Sequence, residues 1–130
     1  SLIKLMGELE LLTTANDNLH LTIALNYGGR DEIVRATKKI SEKVKLGVLN
    51  IDDITVEMFS NNLDTFDLPD PDLVIRTSGE VRTSNFLPWQ CAYSEYVFEK
   101  TNWPDFNNDI YEKILLEFKN RERRFGAIVK

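Results

Sequence analysis

The residues best equipped for chemistry lie between Asp70 and Glu95, in the run DPDLVIRTSGEVRTSNFLPWQCAYSE. Arg76 and Arg82 frame Thr77, Ser78, Gly79, Glu80 and Val81, and Thr83, Ser84 and Asn85 follow. Fully extended, a loop of this length spans up to about 20 Å. Gly79 lets it turn back, so the two guanidinium groups can converge. Each guanidinium fork matches phosphate oxygens two at a time, and Ser84 can add a further hydrogen bond. The same arginines can instead pair with Glu80 and nearby aspartates as ordinary loop salt bridges. Spacing alone leaves the anion site and the salt-bridged loop on equal terms.

Several elements must position that loop. Leu73-Val74-Ile75, bounded by Pro69, Pro71 and Gly79, reads as a strand over 70–76, buried on both faces. Leu2, Leu5, Met6, Leu9 and Leu12 recur at helical spacing and predict an amphipathic helix over 2–15. Leu19, Leu21, Ile23 and Leu25 alternate with His20, Thr22 and Ala24 and predict a strand, in which His20 faces an edge or a neighbouring helix. Asn26-Tyr27-Gly28-Gly29-Arg30 then turns into a helix capped by Asp31. Ile33, Ala36, Thr37, Ile40 and Val44 form its inward stripe, and Gly47 stops it. A Gly-rich turn at that place can aim backbone N–H groups at an anion; a simple tight turn is the favoured reading of Gly28 and Gly29.

Residues 51–62 read as a short helix capped by Asp53 or Thr55. Phe86 to Tyr93 reads as a short helical segment with Pro88 in its first turn, and Tyr96-Val97-Phe98 as a third strand. Ile110, Tyr111, Ile114, Leu115 and Phe118 line a last helix, which runs into Arg121, Arg123 and Arg124 at its negative end. Strands alternating with helices predict an α/β fold, a parallel sheet flanked by helices. In such sheets ligands bind beyond the carboxyl ends of strands, where the loops after Leu25 and Ile75 fall.

A length of 130 residues suits one domain with a real core. The formal charge of −5 argues against a nucleic-acid partner. An acidic chain that binds an anion must gather its arginines locally, as the Arg76 to Arg82 loop would. No apolar run approaches the roughly 20 residues of a membrane span. Cys91 is the sole cysteine, which excludes an internal disulfide and fits a reducing compartment.

The literal residues say more. DLVIRTSGEVRTSNFLPWQCAYSEYVF, followed by WPDF, resembles the C-terminal signature of the cis-prenyltransferases, the undecaprenyl diphosphate synthase family. Asn26-Tyr27-Gly28-Gly29-Arg30 upstream and Arg121-Glu122-Arg123-Arg124-Phe125-Gly126 downstream keep the family's order and approximate spacing. Pro88 departs from it, since many relatives have leucine there. The resemblance implies that residues 1–130 are the C-terminal half of a larger single α/β domain. The other half would carry a phosphate-loop aspartate, the allylic diphosphate site and most of the hydrophobic tunnel.

It implies an enzyme that joins isopentenyl diphosphate to an allylic diphosphate, usually farnesyl diphosphate, and makes Z double bonds toward a polyprenyl diphosphate. Residue by residue, Arg76, Arg82 and Ser84 resemble the isopentenyl diphosphate ligands, and Glu80 a residue that orients the arginines. Glu95 resembles the family's Mg2+ carboxylate; its bland reading is an ion pair with Arg76 or Arg82. Asn26, Gly28, Gly29 and Arg30 take supporting places. Arg124 and Gly126 belong to a tail that reaches the diphosphate, often across a homodimer. Trp89 and Trp103 are expected to pack, and no catalytic residue is assigned within 1–130. The chain is expected to be inactive alone. Its parent is expected to be cytoplasmic, with peripheral membrane contact open to it for product release. Two other readings stand beside this one. A non-catalytic subunit of a two-component cis-prenyltransferase would tend to lose Arg76, Arg82, Ser84 and Glu95, all present here. A generic diphosphate- or nucleotide-binding α/β module leaves the agreement of three sequence blocks unexplained.

Overall fold

A computed structural model describes residues 1–124; Phe125 and Gly126 of the expected tail motif lie outside the described residues. The elements are α1 (Leu2–Thr13), α2 (Gly29–Lys45), α3 (Val56–Ser60), β1 (Leu73–Arg76), β2 (Glu95–Phe98) and α4 (Asn108–Lys119). Single 3₁₀ turns occur at Ile51–Asp53 and Trp103–Asp105. β1 and β2 pair in parallel, from Leu73 opposite Glu95 to Arg76 opposite Phe98. The architecture is the expected α/β one, a parallel strand pair among helices.

α2 is the best-specified helix. Gly29, Glu32, Ala36 and Ile40 are its buried positions, so a carboxylate takes a place on the inward stripe and Thr37, expected there, is exposed. The helix starts before Asp31: Gly28 is its N-cap and Asp31 sits in the first turn, where the positive end favours a carboxylate. At the other end Gly47 adopts φ +70°. Its N–H reaches the Val44 carbonyl at 3.0 Å while Val48 N–H reaches Lys43 at 3.0 Å, closing a Schellman motif. α3 is capped by Thr55, whose Oγ1 accepts the Met58 N–H at 3.1 Å. In α4, Asn107 Oδ1 accepts the Ile110 N–H at 3.1 Å. Ile114 is buried, Ile110 and Phe118 are half-buried, and Tyr111 and Leu115 are exposed, so the inward face is narrower than expected.

Three expectations fail locally. Residues 19–25 form no strand, and Leu19, Leu21, Ile23 and Leu25 are exposed. Alternation supplies an apolar face, but a strand also needs an edge for its N–H and C=O groups. Among the described residues β1 and β2 pair only with each other. For the same reason β1 is half-buried rather than covered on both faces, and it is confined to Leu73–Arg76. Phe86 to Tyr93 is a series of turns with one helical bond, Cys91 N–H to Leu87 O at 3.0 Å. Leu87 precedes a proline and sits at φ +48°, and both features keep it out of a right-handed helix. α1 forms as expected but buries no residue. The buried apolar core consists of Ala36, Ile40, Leu63, Cys91, Val97 and Ile114.

Candidate functional site

β1 delivers Arg76 to the mouth of the loop it frames. Arg76 Nη1 donates to Ser84 Oγ at 2.8 Å and also to the Arg82 carbonyl, so one guanidinium pins the far end of the loop. Ser78 at φ +71° and Gly79 at φ +69° make the reversal. Their N–H groups donate to Thr101 O and Glu99 O, each at 2.9 Å, which seats the turn against the chain leaving β2. Arg82 is 62 % exposed and pairs with Glu80. The salt-bridged loop and the converging arginine–serine cluster are therefore both present.

The loop opens on a pocket of about 300 Å³. Val74, Phe86, Tyr96 and Phe98 give it an apolar floor, with Arg76, Arg82 and Ser84 at the rim. Tyr96 and Phe98 stack on one face of β2, with ring centroids 5.9 Å apart. Burial, then the neighbouring Cys91, hold the Tyr96 phenol above its ordinary range. A cationic rim above an apolar floor can hold a small molecule with an anionic head and a short hydrocarbon body.

Glu95 is not part of that rim. It pairs with Leu73 at the start of β2, three residues back from the Arg76–Phe98 pair, or about 10 Å along the strands. Side chains alternate across a sheet, so Glu95 points to the face opposite Arg76, Val74, Tyr96 and Phe98. Its partner is Arg121, not Arg76 or Arg82: Arg121 Nη1 donates to Glu95 Oε2 at 3.0 Å and to the Tyr96 carbonyl at 3.0 Å. The pair is about one-third exposed, and hydrogen bonds to Glu117 and Glu95 raise Arg121 further above its ordinary value. Among the described residues no group of three or more His, Cys, Asp or Glu gathers as a metal cage. A hard cation at Glu95 finds the right donor type there, with the remaining oxygens to come from elsewhere.

The Asn26 to Arg30 turn is occupied by protein. Gly29 N–H donates to the Asn85 carbonyl at 2.9 Å and Arg30 N–H to Asn85 Oδ1 at 2.9 Å. A Cβ on Gly29 would lie 2.0 Å from Pro88 Cδ, and one on Gly28 3.3 Å from Asn85 Nδ2. These glycines thus serve close approach between the start of α2 and the 85–88 segment. Asn26, at φ +53°, makes the preceding bend. Sequence reasoning missed both Asn85 and the cluster beneath it. Glu32, 1 % exposed, accepts from Tyr27 Oη at 2.5 Å, the Asp64 N–H at 2.7 Å and Gln90 Nε2 at 3.2 Å. Burial and the Glu32 carboxylate raise the Tyr27 phenol well above its ordinary value. Its place at i−4 from Ala36 and i−8 from Ile40 was the available signal.

In the tail, Arg123 pairs with Asp72 at 2.5 Å and Arg124 with Glu122 at 2.9 Å. Trp89 donates to Ser60 Oγ at 3.0 Å and packs on Phe59, as a structural residue would. Trp103 stacks on Phe106 but is largely exposed.

The structure is of the α/β class, with an arginine–serine loop at the carboxyl end of a parallel strand. Residues 1–126 match the family model described as "Putative undecaprenyl diphosphate synthase". The chain belongs to this prenyltransferase family. It is 57% identical over 116 residues to an isoprenyl transferase of Bacillus subtilis, covering 89% of this chain and 45% of that protein. It is 54% identical over 116 residues to an isoprenyl transferase of Clostridium perfringens, covering 89% of this chain and 46% of that one. The chain thus spans about half the length of these curated relatives. Its fold superposes on lavandulyl diphosphate synthase from Lavandula x intermedia, solved with dimethylallyl diphosphate, at a TM-score of 0.90 and 39% identity. That match covers 97% of this chain and 54% of the other.

Proposed function

We propose that this chain supplies the isopentenyl diphosphate side of a cis-prenyltransferase. That enzyme condenses isopentenyl diphosphate onto an allylic diphosphate such as farnesyl diphosphate and lengthens a polyprenyl diphosphate with Z double bonds. The observation that carries the reading is the Arg76–Ser84 and Arg82 rim above the apolar pocket of Val74, Phe86, Tyr96 and Phe98. The rim matches a diphosphate, and a pocket of about 300 Å³ suits a five-carbon body. Condensation needs the alkene held in line and water kept from the departing diphosphate. The rim and floor serve the first need, and the allylic diphosphate would be held outside these residues.

Glu95 is proposed as the carboxylate for Mg2+, which when bound helps neutralise diphosphate charge. Since Glu95 and Arg76 project from opposite faces of one strand pair, one chain does not bring them to a common ligand. That division favours a homodimer, with a second copy contributing to each site. The expected reach of the Arg124 to Gly126 tail across a dimer is in keeping with it. Among the described residues no helix is long and apolar enough to cross a membrane; peripheral membrane contact for product release is part of this proposal.

Isothermal titration with isopentenyl diphosphate tests the reading on Arg82→Ala. Arg82 is exposed and its partner Glu80 half-buried at the surface, so its loss leaves the fold intact. Loss of charge-assisted bonds worth about 1.5 to 3 kcal/mol weakens binding by about 10- to 150-fold. Unchanged affinity would remove Arg82 from the site, and an unbound wild type would remove the reading.

A further inference from the structure

We propose that Asn85 is a positioning residue for the diphosphate loop, fastening Ser84 to the first turn of α2. The proposal rests on the diphosphate reading of Arg76, Arg82 and Ser84. Asn85 meets α2 through two acceptors: its backbone carbonyl takes the Gly29 N–H and its side-chain Oδ1 takes the Arg30 N–H, each at 2.9 Å. Both donors belong to the orphan N–H groups of a helix start, which must find partners. Gly28 and Gly29 have the shape this contact needs. A side chain at Gly29 would strike Pro88 and come within 3.0 Å of the Asn85 carbonyl, and one at Gly28 would crowd Asn85 Nδ2.

The backbone tells the same story. Ser84 at φ +48° and Asn85 at φ +67° are consecutive left-handed residues, and Leu87 at φ +48° is a third nearby. Asparagine tolerates that region better than most residues, whereas serine and leucine rarely enter it. A strained run of this kind persists only where its surroundings over-determine it. The over-determining contacts are those of Asn85 with α2 on one side and Arg76 with Ser84 Oγ, at 2.8 Å, on the other. The chain of contacts runs from the α2 backbone through Asn85 to Ser84 and Arg76. Asn85 needs no contact with the diphosphate: it sets where the Ser84 hydroxyl stands and so where the Arg76 guanidinium is held.

Two readouts on the full 130-residue chain, with Asn85→Ala and Asn85→Asp, test this. Hydrogen exchange reads the fastening. In Asn85→Ala the Arg30 amide, which loses its acceptor, and the Gly29 and Phe86 amides, which donate to the Asn85 and Thr83 carbonyls, exchange faster than in wild type. In Asn85→Asp, which keeps the acceptor and tolerates the left-handed backbone, protection returns. Titration with isopentenyl diphosphate, well below the melting temperature, reads the positioning: Asn85→Ala weakens binding by about tenfold. A merely structural asparagine would lower the melting temperature and leave the dissociation constant alone. Wild-type binding with an unchanged constant in Asn85→Ala overturns the proposal and leaves the diphosphate site standing. Unchanged exchange overturns it whatever the binding. A wild-type chain that binds no isopentenyl diphosphate overturns the site reading itself, and this role with it.

Discussion

Gly29→Ala should destabilise the protein, although it places the best helix former in a helix. The backbone at Gly29 is right-handed helical, so alanine brings no backbone strain there. In a helix interior the exchange of glycine for alanine gains about 1 kcal/mol, and less in the first turn. Against that stands geometry. The new Cβ would lie 2.0 Å from Pro88 Cδ, 2.6 Å from Pro88 Cγ and 3.0 Å from the Asn85 carbonyl. None of these is the far end of a flexible side chain: two belong to a closed ring and one to the backbone. Relief requires moving the 85–88 segment off α2, with loss of the Gly29–Asn85 and Arg30–Asn85 hydrogen bonds. Overpacking costs about 1–3 kcal/mol, and each lost bond about 0.5–1.5 kcal/mol, so the clash wins by about 1 kcal/mol or more. Gly7→Ala is the internal control. Gly7 lies within α1 with nothing inside 4 Å of a would-be Cβ, so propensity acts alone and the change stabilises α1 by about 1 kcal/mol. Urea unfolding followed by circular dichroism measures both. A neutral or stabilising Gly29→Ala would refute the close-approach argument, and with it the explanation of why this turn carries glycines.

Arg35 grips Asp64 through two hydrogen bonds at 2.7 and 2.5 Å, holding that carboxylate below its ordinary 3.8. A depressed folded value means that the stability is present above pH 3.8 and lost as pH falls through the folded value; Asp64→Asn should flatten this acid limb in pH-dependent melts. Tyr27 is shifted the opposite way, from an ordinary 10.0 upward, so its contribution is complete below pH 10.0 and lost as pH rises toward the folded value. Tyr27→Phe should therefore weaken the protein by about 1–3 kcal/mol at neutral pH, by leaving Glu32 short of a donor, and reduce its alkaline destabilisation. Glu95→Gln should raise the Mg2+ concentration needed for half-maximal isopentenyl diphosphate binding, because a neutral amide is a poor ligand for a hard cation. Loss of the partly exposed Arg121 pair should cost only about 1 kcal/mol in a thermal melt. A large loss of stability with unchanged Mg2+ dependence would make Glu95 a salt-bridge residue and nothing more.

Local chemistry in the sequence was enough for α1, α2 and α4 and for the residues of the Arg76 to Arg82 loop. The period of α2, the Gly47 stop and the Thr55 cap each depend on residues within a turn or two of one another. So does the Arg76 to Arg82 loop, whose hydroxyls, glycine and arginines offered an anion site and a salt-bridged loop on equal terms. What the chain could not settle locally was decided by contacts between distant segments. The alternation of Leu19 to Leu25 described a strand, but a strand exists only when it pairs with another, and β1 and β2 pair with each other and not with this segment. The Gly28-Gly29 turn read as an anion site or, by preference, a simple tight turn, and Asn85 and Pro88, more than fifty residues away, made it a close approach between segments. Glu32 drew no reading from its sequence neighbours; Tyr27, Asp64 and Gln90 close over it in the fold. Glu95 seemed a neighbour of Arg76 in the motif. Parallel pairing put the start of β2 beside the start of β1, and the pleat turned the two side chains to opposite faces. Register and face belong to the pairing of strands, and that pairing is a tertiary fact.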